Sequence, residues 1–146
     1  MLIITMGLPG CGKSTWAKQC VENDRKAGQT TVRVNRDLFR TMLHFDEWSK
    51  ENERLTVAAR NATLVTLLTT PINVICDDTN LDPFVREELH DLARPLGHAV
   101  VVKSFLNVPL DVCIFRDAQR TGRARVGPKV ILGMHARYLD KPGAAG

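Results

Sequence analysis

A chain of 146 residues with 44% apolar and 25% charged side chains holds enough apolar material for one compact domain, which excludes a disordered chain. The net charge of +4 permits a polyanionic partner without demanding one, and no apolar run reaches the length that spans a bilayer. Cys11, Cys20, Cys76 and Cys113 form no C-x-x-C pair, so zinc and redox motifs lack support and a reduced, cytoplasmic setting is expected.

Leu2-Ile3-Ile4-Thr5-Met6 is an apolar run that predicts a buried strand. No basic stretch precedes it, so it is not expected to be a signal peptide. Gly7-Leu8-Pro9-Gly10-Cys11-Gly12-Lys13-Ser14-Thr15 follows and fits G-x-x-x-x-G-K-[ST], the phosphate-binding loop, at every required position. Gly7, Gly10 and Gly12 let the backbone turn tightly and approach an anion. Successive N–H groups then form an anion nest, backed by the dipole of the next helix. Lys13 is expected to reach the β- and γ-phosphates of ATP, and the Ser14 hydroxyl to ligate Mg2+. Gly7, Gly10, Cys11, Gly12 and Thr15 complete the expected ATP-binding set.

A helix is predicted from Lys13 to Ala27, ending at Gly28. Thr30 to Val34 alternates and predicts a second strand. Asn35-Arg36-Asp37, at its carboxyl end, opens a short helix through Leu43 with Leu38, Phe39 and Met42 toward the core. A turn or broken helix spans Phe45 to Lys50. Glu51 to Leu68 reads as a long helix with Leu55, Ala58, Ala62, Val65 and Leu68 on its apolar face. Ile72 to Cys76 predicts a third strand that delivers Asp77-Asp78-Thr79-Asn80 at its carboxyl end. Asp82-Pro83 starts a helix that buries Val85, Leu89 and Leu92 and stops before Pro95. His98 to Phe105 is a fourth strand. Pro109 to Gln119 is a helix burying Leu110, Ile114 and Ala118. A flexible basic loop from Arg120 to Gly127 leads to a helix from Pro128 to Tyr138, with Val130, Ile131 and Met134 inside, and a frayed end at 141–146.

Strands alternating with helices predict a three-layer α/β fold. Its sheet is expected to be four-stranded and parallel, with order 2-3-1-4 and right-handed crossovers, in a single domain over residues 1–146. Ligands of such sheets sit outside the carboxyl ends of the strands. The phosphate-binding loop, Asn35-Arg36-Asp37 and Asp78-Thr79-Asn80 all fall there.

Asp37 and Arg40 are three apart and share a helical face, extended by Thr41 and His44. Read alone they fit an exposed ion pair; placed at a strand's carboxyl end, they fit a base and an anion clamp. Asp77 or Asp78 resembles a second acidic element that helps hold Mg2+ through water, while Asp-Thr-Asn is also an ordinary polar turn. Alternation lets only one of the two aspartates aim at the site. Arg116, Arg120, Arg123 and Arg125 read as a lid that brings arginine onto phosphates, or as a solvated basic face. The four histidines show no metal spacing, and Trp16 and Trp48 are expected to be packing residues.

The order Gly7 to Trp16, Val34-Asn35-Arg36-Asp37 with Arg40, Asp78-Thr79-Asn80-Leu81, and the Val108-Pro109 helix leading to Arg120 resembles the phage-type polynucleotide 5′-kinase domain, over Ile3 to about Leu139. The resemblance implies that Lys13 and Ser14 serve the ATP phosphates and Mg2+. It makes Asp37 the general base on a 5′-hydroxyl and Arg40 the ligand of the acceptor's 3′-phosphate. Asp78 would support Arg40 and the acceptor site, with Thr79 and Asn80 beside it, and Arg120 would be the lid arginine. After Arg120 the sequence departs from that pattern, which leaves the lid role open among Arg120, Arg123 and Arg125. The phage enzyme's 3′-phosphatase domain is not expected within this chain.

The expectation is therefore ATP-dependent transfer of a γ-phosphate to 5′-hydroxyl DNA or RNA ends, with Mg2+, no membrane contact, and compatibility with a homo-oligomer. A nucleoside or sugar kinase of the same fold, and an ATP-hydrolysing switch with no acceptor, are the rival readings.

Overall fold

The computed structural model describes residues 1–140, so the end expected to fray lies outside the described residues. The elements run β1 (Leu2–Met6), α1 (Lys13–Lys26), β2 (Thr31–Val34), α2 (Arg36–His44), α3 (Lys50–Leu68), β3 (Asn73–Cys76), α4 (Pro83–Ala93), β4 (Val100–Ser104), α5 (Leu110–Ala118) and α6 (Pro128–Tyr138). Short 3-10 turns occupy Arg94–Leu96 and Gly122–Ala124. All strand pairs are parallel, and the sheet order is β2-β3-β1-β4 with helices on both faces, as the sequence predicts.

Register puts Ile4 opposite both Cys76 and Val102; β2 and β3 end at that level and β1 and β4 two residues further on, with all the exits on one edge of the sheet. One buried cluster joins Leu2, Ile4, Val34, Val74 and Cys76 to Leu64 and Leu68 of α3 and Leu89 and Ala93 of α4. A second gathers Met6, Leu8, Cys11, Leu81, Cys113 and Ile131 around the phosphate-binding loop and the α5–α6 pair. The loop is therefore built on a core of its own rather than hung from the sheet's rim.

Several helical faces differ from the sequence reading. On α3 the buried positions are Thr56, Arg60, Leu64 and Leu68, whereas Leu55, Ala58 and Ala62 are exposed. An apolar-only pattern picks the wrong stripe because two polar residues occupy the true one. On α2 only Phe39 packs against the core; Leu38 and Met42 face solvent. On α5 the buried residues are Cys113 and Asp117, with Leu110 and Ile114 half-buried and Ala118 exposed. On α6 Ile131 is buried and Val130 exposed. Trp16 packs edge-on against Phe105, but Trp48 is exposed and packs into neither core cluster.

The phase of α3 is testable. Leu64→Ala should lower unfolding free energy by about 2–5 kcal/mol, while Leu55→Ala should cost less than about 0.5 kcal/mol. Denaturant titration of both variants checks this, and equal costs would contradict the observed face.

Candidate active site

The phosphate-binding loop has the backbone its glycines allow. Gly10 and Gly12 lie at φ 83° and 101°, in the left-handed region that disfavours side chains. Gly10 also has no room for one: a Cβ there would stand 2.3 Å from the Cys113 carbonyl oxygen of α5. Gly12 caps the start of α1, so the helix's unpaired N–H groups open into the loop. Gly7 N–H donates to the Thr79 carbonyl (3.0 Å), tying the loop to the exit of β3.

Lys13 is buried, and its Nζ donates to the Leu8 carbonyl at 2.7 Å and meets Cys11 Sγ at 3.4 Å. The ammonium is folded across its own loop with no carboxylate in contact, which keeps its charge for an incoming anion. Ser14 is half-buried and Thr15 exposed at the first turn of α1.

α2 opens at the carboxyl end of β2, on the same edge of the sheet. Asn35 caps it through Oδ1, which accepts from Leu38 N–H at 3.0 Å. Asp78, arriving from β3, adds a second cap: its Oδ1 accepts the Arg36 N–H at 2.9 Å. A carboxylate at a helix N-terminus also meets the positive end of the dipole. These caps set the direction of Asp37 and Arg40. Asp37 is largely exposed and receives Arg40 Nη1 at 2.5 Å. Glu53 of α3 takes Arg40 side-on, with Nε–Oε2 2.8 Å and Nη2–Oε1 2.6 Å. That fork raises the arginine pKa and holds the Glu53 carboxyl below its ordinary range, through hydrogen bonding first and charge second. Of five guanidinium N–H groups, one on each terminal nitrogen remains without a partner in this set.

The two aspartates after β3 diverge, as alternation requires. Asp77 pairs with Arg33 at 2.6 Å and keeps a buried Oδ1 without a partner. Asp78 Oδ2 receives Arg60 Nη1 at 3.2 Å. Arg60 is 1% exposed, and its Nε and Nη2 donate to Asn61 Oδ1. The direct partners of Asp78 are thus Arg36 and Arg60; the expected support of Arg40 comes from Glu53 and Asp37 instead. Neither Arg60 nor Glu53 was legible as a site residue, since each is an ordinary helix former in a long helix. A charged residue falling on the buried stripe of α3 is the signal that finds Arg60.

Asn80 faces inward rather than toward the open edge. It is 2% exposed at φ 45°, and its Nδ2 donates to the Thr5 carbonyl at 2.9 Å, locking the β1 and β3 exits together. Thr79 beside it is half-buried.

The basic lid is anchored by buried Asp117, whose two oxygens accept the Val126 and Gly127 N–H groups at 2.9 and 2.8 Å. Arg120 lies over that carboxylate at 3.6 Å and donates to the Ala124 carbonyl. Arg123 reaches across to α2, pairing with Asp46 at 3.1 Å and donating to the Phe45 carbonyl. Arg116 of α5 comes near the loop, with Nη1 3.8 Å from the point a Gly12 Cβ would occupy. An apolar cavity of about 240 Å3, lined by Leu8, Phe105, Val108, Leu110, Cys113 and His135, lies behind the loop and touches no α2 residue.

Mg2+ in such a site takes one or two protein oxygens and otherwise water and substrate phosphates. The described residues hold no cluster of three or more His, Cys, Asp or Glu suited to a metal. The Ser14 hydroxyl, half-buried at the first turn of α1, fits an ion carried mainly by phosphates, not a resident metal, whereas the Asp77 carboxylate is fully buried against Arg33.

A glycine nest, a buried lysine, a capped acidic–basic helix and an arginine lid on this sheet order define a P-loop kinase fold. Residues 2–141 match the family described as an AAA domain, and the chain belongs to that family. It is 29% identical over 143 residues to L-seryl-tRNA(Sec) kinase of Methanococcus maripaludis, covering 98% of this chain and 54% of that protein. Among solved structures it is similar to a chain in the Pnkp1/Rnl/Hen1 RNA repair complex, with TM-score 0.80, 29% identity, and 94% of this chain against 43% of that one. The fold is also that of the Mycobacterium tuberculosis APS kinase CysC, solved with AMPPNP and APS: TM-score 0.66, 19% identity, 81% of this chain and 68% of that one. The chain thus spans about half the length of the curated relative and less of the repair-complex chain.

The Glu53–Arg40 fork gives a pH test. A carboxyl whose folded pKa is depressed contributes stability above its unfolded value, near 4.5, and loses it as pH falls through the folded value. The excess stability of the unmutated protein over Glu53→Gln should therefore be full at neutral pH and shrink under strong acid. Unfolding curves across that range check it; a pH-independent difference would contradict the pairing.

Proposed function

We propose that this protein is an ATP-dependent kinase that transfers the γ-phosphate to the 5′-hydroxyl end of a DNA or RNA strand. The observation that carries the reading is the α2 wall: an exposed Asp37 beside an Arg40 that Glu53 holds side-on and that keeps an N–H on each terminal nitrogen. Two such groups suit a phosphate oxygen pair, and a guanidinium is matched to that geometry. Similarity to a chain of an RNA repair complex and to a tRNA kinase supports a nucleic-acid acceptor.

On the donor side, the loop amides of Gly10, Cys11 and Gly12 cradle the phosphates, with Gly7 allowing the turn and Thr15 closing the first helical turn. Lys13 leaves the Leu8 carbonyl for the β- and γ-phosphates. Ser14 would hold Mg2+, which when bound screens charge between donor oxygens. Arg120, with Arg116 beside it, neutralises charge that develops on the transferring group. On the acceptor side, Arg40 holds the 3′-phosphate and so brings the 5′-hydroxyl to Asp37. Asp37 accepts its proton as the oxygen attacks. Thr79 borders this pocket, while Asp78 and Asn80 act from beneath by fixing α2 and the strand exits.

Labelled ATP offered with nucleosides, nucleoside 3′-monophosphates, sugars and 5′-hydroxyl oligonucleotides tests the reading. Oligonucleotides and nucleoside 3′-monophosphates should be phosphorylated and bare nucleosides hardly at all. Arg40→Ala should erase that preference. Lys13→Met should abolish transfer with the fold intact, and Asp37→Asn should lower kcat by about a hundredfold or more with little change in ATP binding. Equal rates on nucleoside and nucleoside 3′-monophosphate would favour a metabolite kinase, and ATP hydrolysis without any phosphorylated acceptor would favour a switch.

A further inference from the structure

The stretch from Leu38 to Leu55 carries a concentration of exposed apolar side chains: Leu38 60%, Met42 66%, Phe45 84%, Trp48 68% and Leu55 58% exposed. Large exposed apolar patches on soluble domains mark places where something binds. Leu38 and Met42 are four apart, on one solvent face of α2, and Phe45 and Trp48 follow in the turn that joins α2 to α3. Among the described residues, neither aromatic ring pairs with another ring or with a cation.

The turn is also held in an unfavourable shape. Phe45 and Asp46 lie at φ 51° and 63°, a region that bulky side chains seldom occupy. The turn keeps that shape because Asp46 accepts from Thr41 Oγ1 at 2.6 Å and pairs with Arg123 at 3.1 Å, while Arg123 also donates to the Phe45 carbonyl. Such conformations persist where neighbouring structure over-determines them. Here the outcome is a rigid turn that displays a phenyl and an indole ring to solvent, fastened to the basic lid.

We infer that Phe45 and Trp48, continued by Leu38 and Met42, are a stacking surface for unpaired nucleobases of the acceptor strand beyond its 5′ nucleotide. This rests on the polynucleotide reading above. Two observations select nucleic acid over a protein partner. The apolar stripe lies on the helix that carries Asp37 and Arg40, so whatever covers it adjoins the acceptor pocket. The lid docks on the turn through Arg123, which pairs with Asp46 and donates to the Phe45 carbonyl, so a guanidinium stands at the edge of the apolar surface. Aromatic faces beside guanidinium groups are how sequence-tolerant single-strand sites are built, because every base has a π-face and every linkage a charge.

The experiment compares short 5′-hydroxyl oligonucleotides with matched ones that are abasic after the first nucleotide, using the unmutated protein, Trp48→Ala and Phe45→Asn. Asparagine tolerates the left-handed backbone at position 45, and both sites are exposed, so both variants should fold. The unmutated protein should show a KM about tenfold or more lower for the base-bearing strand. In each variant that advantage should shrink through KM, with kcat on the oligonucleotide little changed and KM for the abasic strand moving less than about twofold. Equal KM values for base-bearing and abasic strands in the unmutated protein would overturn the stacking surface. So would variants that keep the full advantage while the protein shifts from dimer to monomer, which would make this face an interface between copies. Transfer to a nucleoside 3′-monophosphate by the unmutated protein is the separate gauge: if it fails together with every oligonucleotide, the polynucleotide reading falls and the surface with it.

Discussion

The Asp78 carboxylate is the contact on which the placement of α2, and with it the proposed acceptor site, depends. It leaves β3 at the sheet's carboxyl edge, caps the first N–H of α2, and neutralises Arg60 inside α3. One buried anion thus joins three elements that the backbone ladder does not connect. Burying Arg60 is tolerable only because this carboxylate and Asn61 meet it; either charge left alone there would be costly. The arrangement fixes the start of α2, and so the face that presents Asp37 and Arg40.

Charge is distributed by accessibility. The cations that only hold structure are satisfied: Arg60 by Asp78, Arg33 by Asp77, Arg86 by the Asn80 and Leu81 carbonyls. Lys13 meets only a neutral carbonyl and a sulfur, and Arg40 keeps donors in reserve. The Cys76 thiol, buried below Asp78, has its pKa pushed up by desolvation and by that carboxylate, so it acts as a small apolar filler. The donor loop needs no such network. Its shape comes from glycine conformations and from α5 pressing the Cys113 carbonyl onto Gly10.

The fold was legible because strand, loop and helix signals are local. The glycine loop, Asp82-Pro83 and Pro128 set element starts within a residue or so of where they fall. The parallel sheet followed from alternation, and the loop, Asp37 and Asp78 from their places at strand ends. What escaped was long-range pairing. Whether Asp78 serves Arg40 or Arg60 depends on which side of α3 is buried, and that face was misread because Thr56 and Arg60 lie on it. Glu53, which takes two of the Arg40 hydrogen bonds beside Asp37, is thirteen residues away on another helix, and no local pattern marks it. Leu38 and Met42 were assigned inward because apolar residues at helical spacing are usually core; here they face solvent.

A double-mutant cycle on Asp78 and Arg60 tests the central claim most directly. Asp78→Asn, Arg60→Met and the combination should be compared by denaturant unfolding and by kcat/KM on an oligonucleotide acceptor. If the pair is the strut that sets α2, each single change strands a buried charge and the double variant is no worse than the more damaging single. The coupling should then exceed about 1 kcal/mol in stability and appear again in kcat/KM. Additive effects in both measurements would contradict the account and leave Asp78 and Arg60 as neighbours that act independently.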